Sequence, residues 1–191
     1  MEPVLVVLGV VLGFVLLVII IVAVLYNGLV AARQHMRESW SNVNTELQRR
    51  HDLIPNLINT VKGYMAHERD LLEKIVNLRE QAERLRPGDA TPEQVNVENQ
   101  LSAALGQLRV RVEAYPDLKA SSNFQSLQAE LANTEDRVQA ALRFYNGNVR
   151  NLNVKCESFP GNIIAGMFNF QKGTYFELQN EAARTAPVVQ F

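Results

Sequence analysis

From Met36 to Leu85 apolar residues recur at alternating steps of four and three. The positions met are Met36, Trp40, Val43, Leu47, Arg50, Ile54, Leu57, Val61, Tyr64, Glu68, Leu71, Ile75, Leu78, Ala82 and Leu85. Only Arg50 and Glu68 interrupt the seam, and this is the spacing of a coiled-coil or bundle helix. The pattern predicts one long amphipathic helix, roughly 75 Å at ~1.5 Å per residue. A kink is expected at Pro55, which has no N–H for the His51 carbonyl. Arg86-Pro87-Gly88-Asp89 stops the helix, and Thr91-Pro92 with Gln94 starts the next through an N-cap and capping box. That second helix carries Leu101, Leu105, Leu108, Val112 and Tyr115 and closes at Pro116. Ser121 or Ser122 caps a third, with Phe124, Leu127, Leu131, Val138, Ala141, Tyr145, Leu152 and Phe159 on one face and Pro160-Gly161 at its end. Short connections favour antiparallel neighbours, giving an up-down-up bundle.

The N-terminal pattern is different. Val4 to Leu25 contains no charged residue and as a helix would cover ~33 Å, enough for a hydrocarbon core of roughly 30 Å. A cleaved signal peptide would want a basic start and a small-residue cleavage site, whereas Glu2 precedes the span and Tyr26-Asn27-Gly28 follows it. A single-pass anchor is therefore expected, with Tyr26 at the membrane–water boundary. Leu29 onward resumes helical character, so the anchor should run into the long helix with little linker. Gly9 and Gly13 form a G-x-x-x-G pattern that lets a second membrane helix approach closely, although the spacing also arises by chance. Arg33 and Arg37 follow the span and no basic residue precedes it, which places the body in the cytoplasm and the N-terminus outside; the charge margin is small, so the opposite topology stays open.

Those patterns give an all-α chain: an N-terminal single-pass transmembrane helix continuing into an elongated antiparallel three- to four-helix bundle, with an irregular apolar C-terminal tail. The expected divisions are a membrane anchor over 1–26, a bundle over 27–160 (helices about 27–86, 92–115 and 122–159) and a packing tail over 161–191. In the tail, Phe168, Phe170, Tyr175, Phe176 and Phe191 head apolar clusters. They either pack across the bundle as a cap or dock to another copy or to lipid.

Net charge is −1, with acids and bases interspersed along the helices. That is a solvated helix face and gives no footprint for nucleic acid. Cys156 is the lone cysteine, so no internal disulfide can form. His35, His51 and His67 are sixteen residues apart; on a straight helix each step turns ~160° and advances ~24 Å, too far to share a metal. His67-Glu68 begins like a zinc-protease motif, but Leu71 stands where the second histidine would be. No Glu-x-x-His pair, phosphate-binding glycine loop or nucleophile elbow is found, so neither catalytic residues nor a cofactor are expected. Arg50 remains as a charge on an apolar seam. It either pairs with an acid on another helix or subunit and fixes register, or turns to solvent at the kink.

One block, Arg50-His51-Asp52-Leu53-Ile54-Pro55-Asn56-Leu57 followed by Val61-Lys62-Gly63-Tyr64, resembles the R-Y-D-L-I-P-N-L…V-K-G-Y block of bacterial LemA proteins. Further matches are Tyr26-Asn27-Gly28-Leu29-Val30, Ala114-Tyr115-Pro116-Asp117-Leu118-Lys119, Asn123-Phe124-Gln125-Ser126-Leu127-Gln128, Tyr145-Asn146 with Val149, Phe159-Pro160-Gly161-Asn162 and Ala186-Pro187-Val188. The resemblance covers nearly the whole chain in order. Departures are Leu152-Asn153 where the family repeats Tyr-Asn, Cys156 for an aliphatic residue and His51 where Tyr is common. The resemblance implies a bacterial inner-membrane protein with one anchor, an antiparallel helical body and no established reaction. It also implies association with envelope stress settings beside membrane zinc proteases, and with magnetosome membrane formation in one relative. Two functions follow as expectations: a self-associating, non-enzymatic membrane scaffold whose partners are lipid and its own copies, or an adaptor for a membrane protease or sensor. Arg50, Asp52, Pro55, Asn56, Lys62, Gly63, Tyr64 and Asn146 are then either packing polars or a partner-binding strip.

Overall fold

The computed structural model describes residues 2–86 and 88–178. Helix α1 runs without interruption over Glu2–Lys62, and a 3-10 turn at Ala66–Glu68 leads into α2, Arg69–Leu85. Then come α3, Pro92–Val112, the short α4, Pro116–Lys119, α5, Ser122–Glu157, and α6, Gly161–Met167. No strand occurs among the described residues. The all-α class holds, but the single rod from Met36 to Leu85 does not. The chain turns at Gly63-Tyr64-Met65, where the Tyr64 and Met65 amides both donate to the Val61 carbonyl, and α2 folds back. Periodicity hid the turn because both helices are amphipathic and their stripes stay in step across it. Gly63, a poor helix residue, and Glu68, a charge on the seam, were the local signs. Fully buried Met65 anchors the turn.

By compactness the chain forms two units, one of Met1–Glu38 with Gly147–Gly173 and one of Ser39–Asn146 with Thr174–Phe191. The second is a four-helix arrangement whose directions follow from its side-chain contacts. Trp40 meets the Gly88 carbonyl and Arg50 meets Glu98, so α1 and α3 run parallel. Trp40 also packs on Tyr145 while Arg50 meets Glu135, so α5 runs antiparallel to α1. Arg79 reaches back to His51, and Glu68 meets Arg111, so α2 opposes both α1 and α3. The core follows the anticipated stripe through Val43, Leu47, Ile54, Leu57 and Val61, joined by Ile75, Leu78, Leu101, Leu108, Val112 and Phe124. Thr91 caps α3 by accepting from the Gln94 amide at 3.2 Å. The return half of the capping box is missing: both polar atoms of the Gln94 side chain are buried with no partner among the described residues.

In the first unit, side chains from Leu5 to Ile21 are exposed, and this helix is long and apolar enough to cross a membrane. Gly9 and Gly13 lie on that stretch with open space where a Cβ would stand. Leu29, Ala32 and Met36 are buried, as are Val149 and Leu152 of α5 and Ile164 and Ala165 of α6. Phe159, expected on the buried face of the third helix, is 80% exposed. Its helix ends at Glu157, and the chain turns so tightly at Gly161 that a Cβ there would lie 2.5 Å from the Lys155 carbonyl oxygen.

Candidate functional site

Among the described residues of the second unit, the largest fully buried side chain is an arginine. Arg50 is 1% exposed, and its Nη2 donates to Glu98 Oε2 in a short contact. Its Nη1 donates to Ser102 Oγ at 3.1 Å and to Glu135 Oε2 at 3.0 Å. His51 Nε2 lies 3.0 Å from the other Glu98 oxygen, off the line of an ideal ring N–H bond. Burial alone would raise the Glu98 carboxyl, but contact with His51 and the charge of Arg50 outweigh it and hold the group below the usual carboxylate range. One charge from α1 is thus matched by acids on α3 and α5. A buried ion pair adds little net stability over apolar packing but punishes any arrangement that separates it, and this one joins α1 to α3 and α5. Arg50 pairs with acids on other helices, and the solvent-facing alternative is excluded.

Pro55 is accommodated by the same face. Arg79 Nε donates to the His51 carbonyl at 2.8 Å, the acceptor left open because Pro55 has no N–H. Arg79 is itself held by Glu83 at 2.8 Å. The helix therefore continues through Pro55, and a cation from α2 replaces the missing backbone bond.

A second polar device fixes the tail. Asn146 donates to the Phe176 carbonyl at 2.8 Å and accepts from the Phe176 amide at 3.0 Å. One heptad later in sequence, Asn153 treats Gly173 the same way, at 3.1 and 2.8 Å. Each asparagine gives an extended backbone both hydrogen bonds a neighbouring strand would supply. Tyr145 adds a bond to the Thr174 carbonyl at 2.8 Å, and burial with the nearby Asp89 charge pushes its hydroxyl up to about 12. Fully buried Phe176 packs on Trp40 with ring centroids 5.5 Å apart. The cap reading holds for Phe176. Phe170 packs on Tyr26 and lies under the Arg33 guanidinium, 4.9 Å from its ring centroid. Phe168 and Tyr175 stay half-exposed, and Phe191 lies outside the described residues.

The other motif residues do not converge. Asp52 is exposed and accepts from Gln48 at 2.6 Å. Pro55, Asn56 and Lys62 are exposed, as are Gly63 and Tyr64 at the turn. Asn146 instead serves the tail. Residues missed from the sequence are Glu98, Arg79 and Asn153. Glu98 carried a legible signal: it lies seven residues before Leu105 and fourteen before Val112, a charge on an apolar seam like Arg50.

Beside the ionic cluster, α3 and α5 border an open cleft of about 790 Å³, lined by Leu105, Leu108, Val112 and Phe124 together with Arg50, Arg109, Glu135 and Asp136. Among the described residues no three His, Cys, Asp or Glu side chains gather as a metal site. Cys156 is half-buried, and burial pushes its thiol up, away from the nucleophilic thiolate. Arg50 and Glu98 neutralise one another, so this buried pair serves to join α1 to α3.

The sequence is similar to those of known proteins. The chain is 25% identical to Protein LemA of Metamycoplasma hominis, with 86% of this chain and 77% of that protein covered. It is 23% identical to magnetosome protein MamQ 2 of Paramagnetospirillum magneticum and 21% identical to magnetosome protein MamQ of Magnetospirillum gryphiswaldense, each with 86% of this chain and 68% of the relative covered. The LemA family profile matches residues 39–191, which takes in the ionic cluster, the Pro55 device and the asparagine clamps, and the chain belongs to the LemA family.

Proposed function

We propose that this protein is a membrane-anchored, non-enzymatic helical scaffold that self-associates at the bacterial inner membrane and serves envelope or membrane organisation. The observation that carries this reading is where the polar groups go. Arg50, Glu98, Arg79, Asn146 and Asn153 all point inward and hold helices or tail in place, while the N-terminal half of α1 is an apolar span. The LemA family is not a known enzyme family. The heptad seam is consumed within the chain, so self-association falls to the span, where Gly9 and Gly13 leave room for a neighbouring helix. Two relatives are magnetosome proteins by name, in keeping with a task in membrane organisation. Arg33 and Arg37 after the span favour a cytoplasmic body.

Native mass spectrometry of the intact protein from mild detergent tests the reading. Multiples of the 21.5 kDa chain are expected; a uniform single-chain mass overturns self-association. Protease accessibility of the body in sealed vesicles decides topology. A second reading, an adaptor for a membrane protease or sensor, draws on the open α3–α5 cleft. It predicts a stoichiometric partner in a crosslinked pull-down whose activity changes when the body is deleted.

A further inference from the structure

We infer that the loop and helix from Phe159 to Phe168 form a second membrane contact, lying in the headgroup region of the bilayer that the N-terminal helix crosses. Three observations in the first unit place it there. First, α5 descends along α1 toward the span. Val149 and Met36 both crowd Gly173, whereas six residues later Lys155 Nζ donates to the Gly28 carbonyl at 3.1 Å. That antiparallel pairing brings the end of α5, at Glu157, beside the C-terminal end of the uncharged stretch, and Phe159 follows it by two residues. Second, the chain leaving α6 packs on Tyr26, with ring centroids 4.8 Å to Phe168 and 5.7 Å to Phe170. Burial of α1 begins at Val22, Leu25 and Tyr26, one face of one turn, and so reaches inside the uncharged stretch. Third, the exposed surface there is chemically lipid-like. Phe159 is 80% and Met167 70% exposed, and Ile163 and Phe168 are half-exposed. No charged residue occurs from Ser158 to Gln171.

These facts select lipid over water. Ile164 and Ala165 face inward, so α6 is already packed on one side and shows Ile163 and Met167, one turn apart, on another. An amphipathic element held at the boundary beside a membrane span buries its apolar face among headgroups and upper acyl chains. Arg33, stacked on Phe170, and Lys155, on Gly28, bring positive charge to the same level, suited to anionic headgroups. The inference rests on the N-terminal helix spanning the bilayer and is independent of self-association.

The test uses the full chain with Cys156→Ser and single cysteines at Phe159→Cys or Met167→Cys, labelled with an environment-sensitive fluorophore. Val15→Cys marks the span and Asp117→Cys the aqueous phase. Each protein is placed one copy per nanodisc of phosphatidylethanolamine and phosphatidylglycerol. Labels at 159 and 167 should be severalfold less accessible to aqueous iodide than the label at 117, and should be quenched by lipids carrying a nitroxide high on the acyl chain. Both native side chains are exposed on the protein surface, so folding is expected to persist, checked by an unchanged helical circular-dichroism spectrum. Iodide access at 159 and 167 equal to that at 117 overturns the inference. Protection appearing only with two copies per disc assigns the face to another chain and also overturns it. Access at position 15 as well refutes the membrane span itself, a distinct failure.

Discussion

Glu98→Gln isolates what the buried charges contribute. The amide nearly matches the carboxylate in size, so packing is kept and only a charge is lost. Arg50 stays buried, and its remaining acid, Glu135, is 41% exposed and screened by solvent. Breaking a buried pair costs about 3–5 kcal/mol; with one partner left and an amide oxygen still accepting, about 2–3 kcal/mol is expected. In a unit of this size that lowers the Tm by roughly 4–12 °C. Trp40 is the sole tryptophan and packs on Tyr145 and Phe176, so its emission follows this unit through a urea titration. Acid supplies a second readout. Glu98 is held below 4.5 when folded, so in acid the unfolded chain takes up a proton that the folded chain refuses. The stabilisation is complete above the unfolded value and is lost as pH falls from about 4.5 through the folded value. The gap between wild type and Glu98→Gln should therefore close in that window. A neutral-pH gap under about 0.5 kcal/mol, or one that does not narrow in acid, would refute the buried-pair argument. Arg50→Met with Glu98→Leu should recover most of the loss, because apolar replacement of both partners is often neutral or stabilising.

Arg79→Leu strands the His51 carbonyl and should cost about 1–3 kcal/mol; adding Pro55→Ala restores a backbone donor, so the double variant should recover stability, read by urea titration, and simple additivity would argue against the pairing. Asn146→Ala should speed hydrogen exchange at the Phe176 amide and Asn153→Ala at Gly173, each costing about 1–3 kcal/mol; exchange rates equal to wild type would remove the clamps. Phe176→Ala should cost about 3–5 kcal/mol and shift Trp40 emission to the red, whereas an unchanged spectrum would contradict their stacking.

Sequence alone determined the apolar span, the helical class and the stripe from Met36 to Val61, because each is set by local periodicity that any partner surface must respect. The Thr91 cap was legible for the same reason: the donor it satisfies is three residues away. Tertiary structure decided what depends on residues far apart in the chain. It placed the turn at Gly63, since two in-phase amphipathic helices look like one until the chain folds back. It chose Glu98 and Glu135 for Arg50, because an unpaired buried charge demands a partner without naming it. It gave the His51 carbonyl to Arg79, a solution to Pro55 that lies on the next helix. It sent Phe176 inward and Phe159 outward although both are aromatic, because Asn146 captures one backbone and the turn at Gly161 carries the other away from the core.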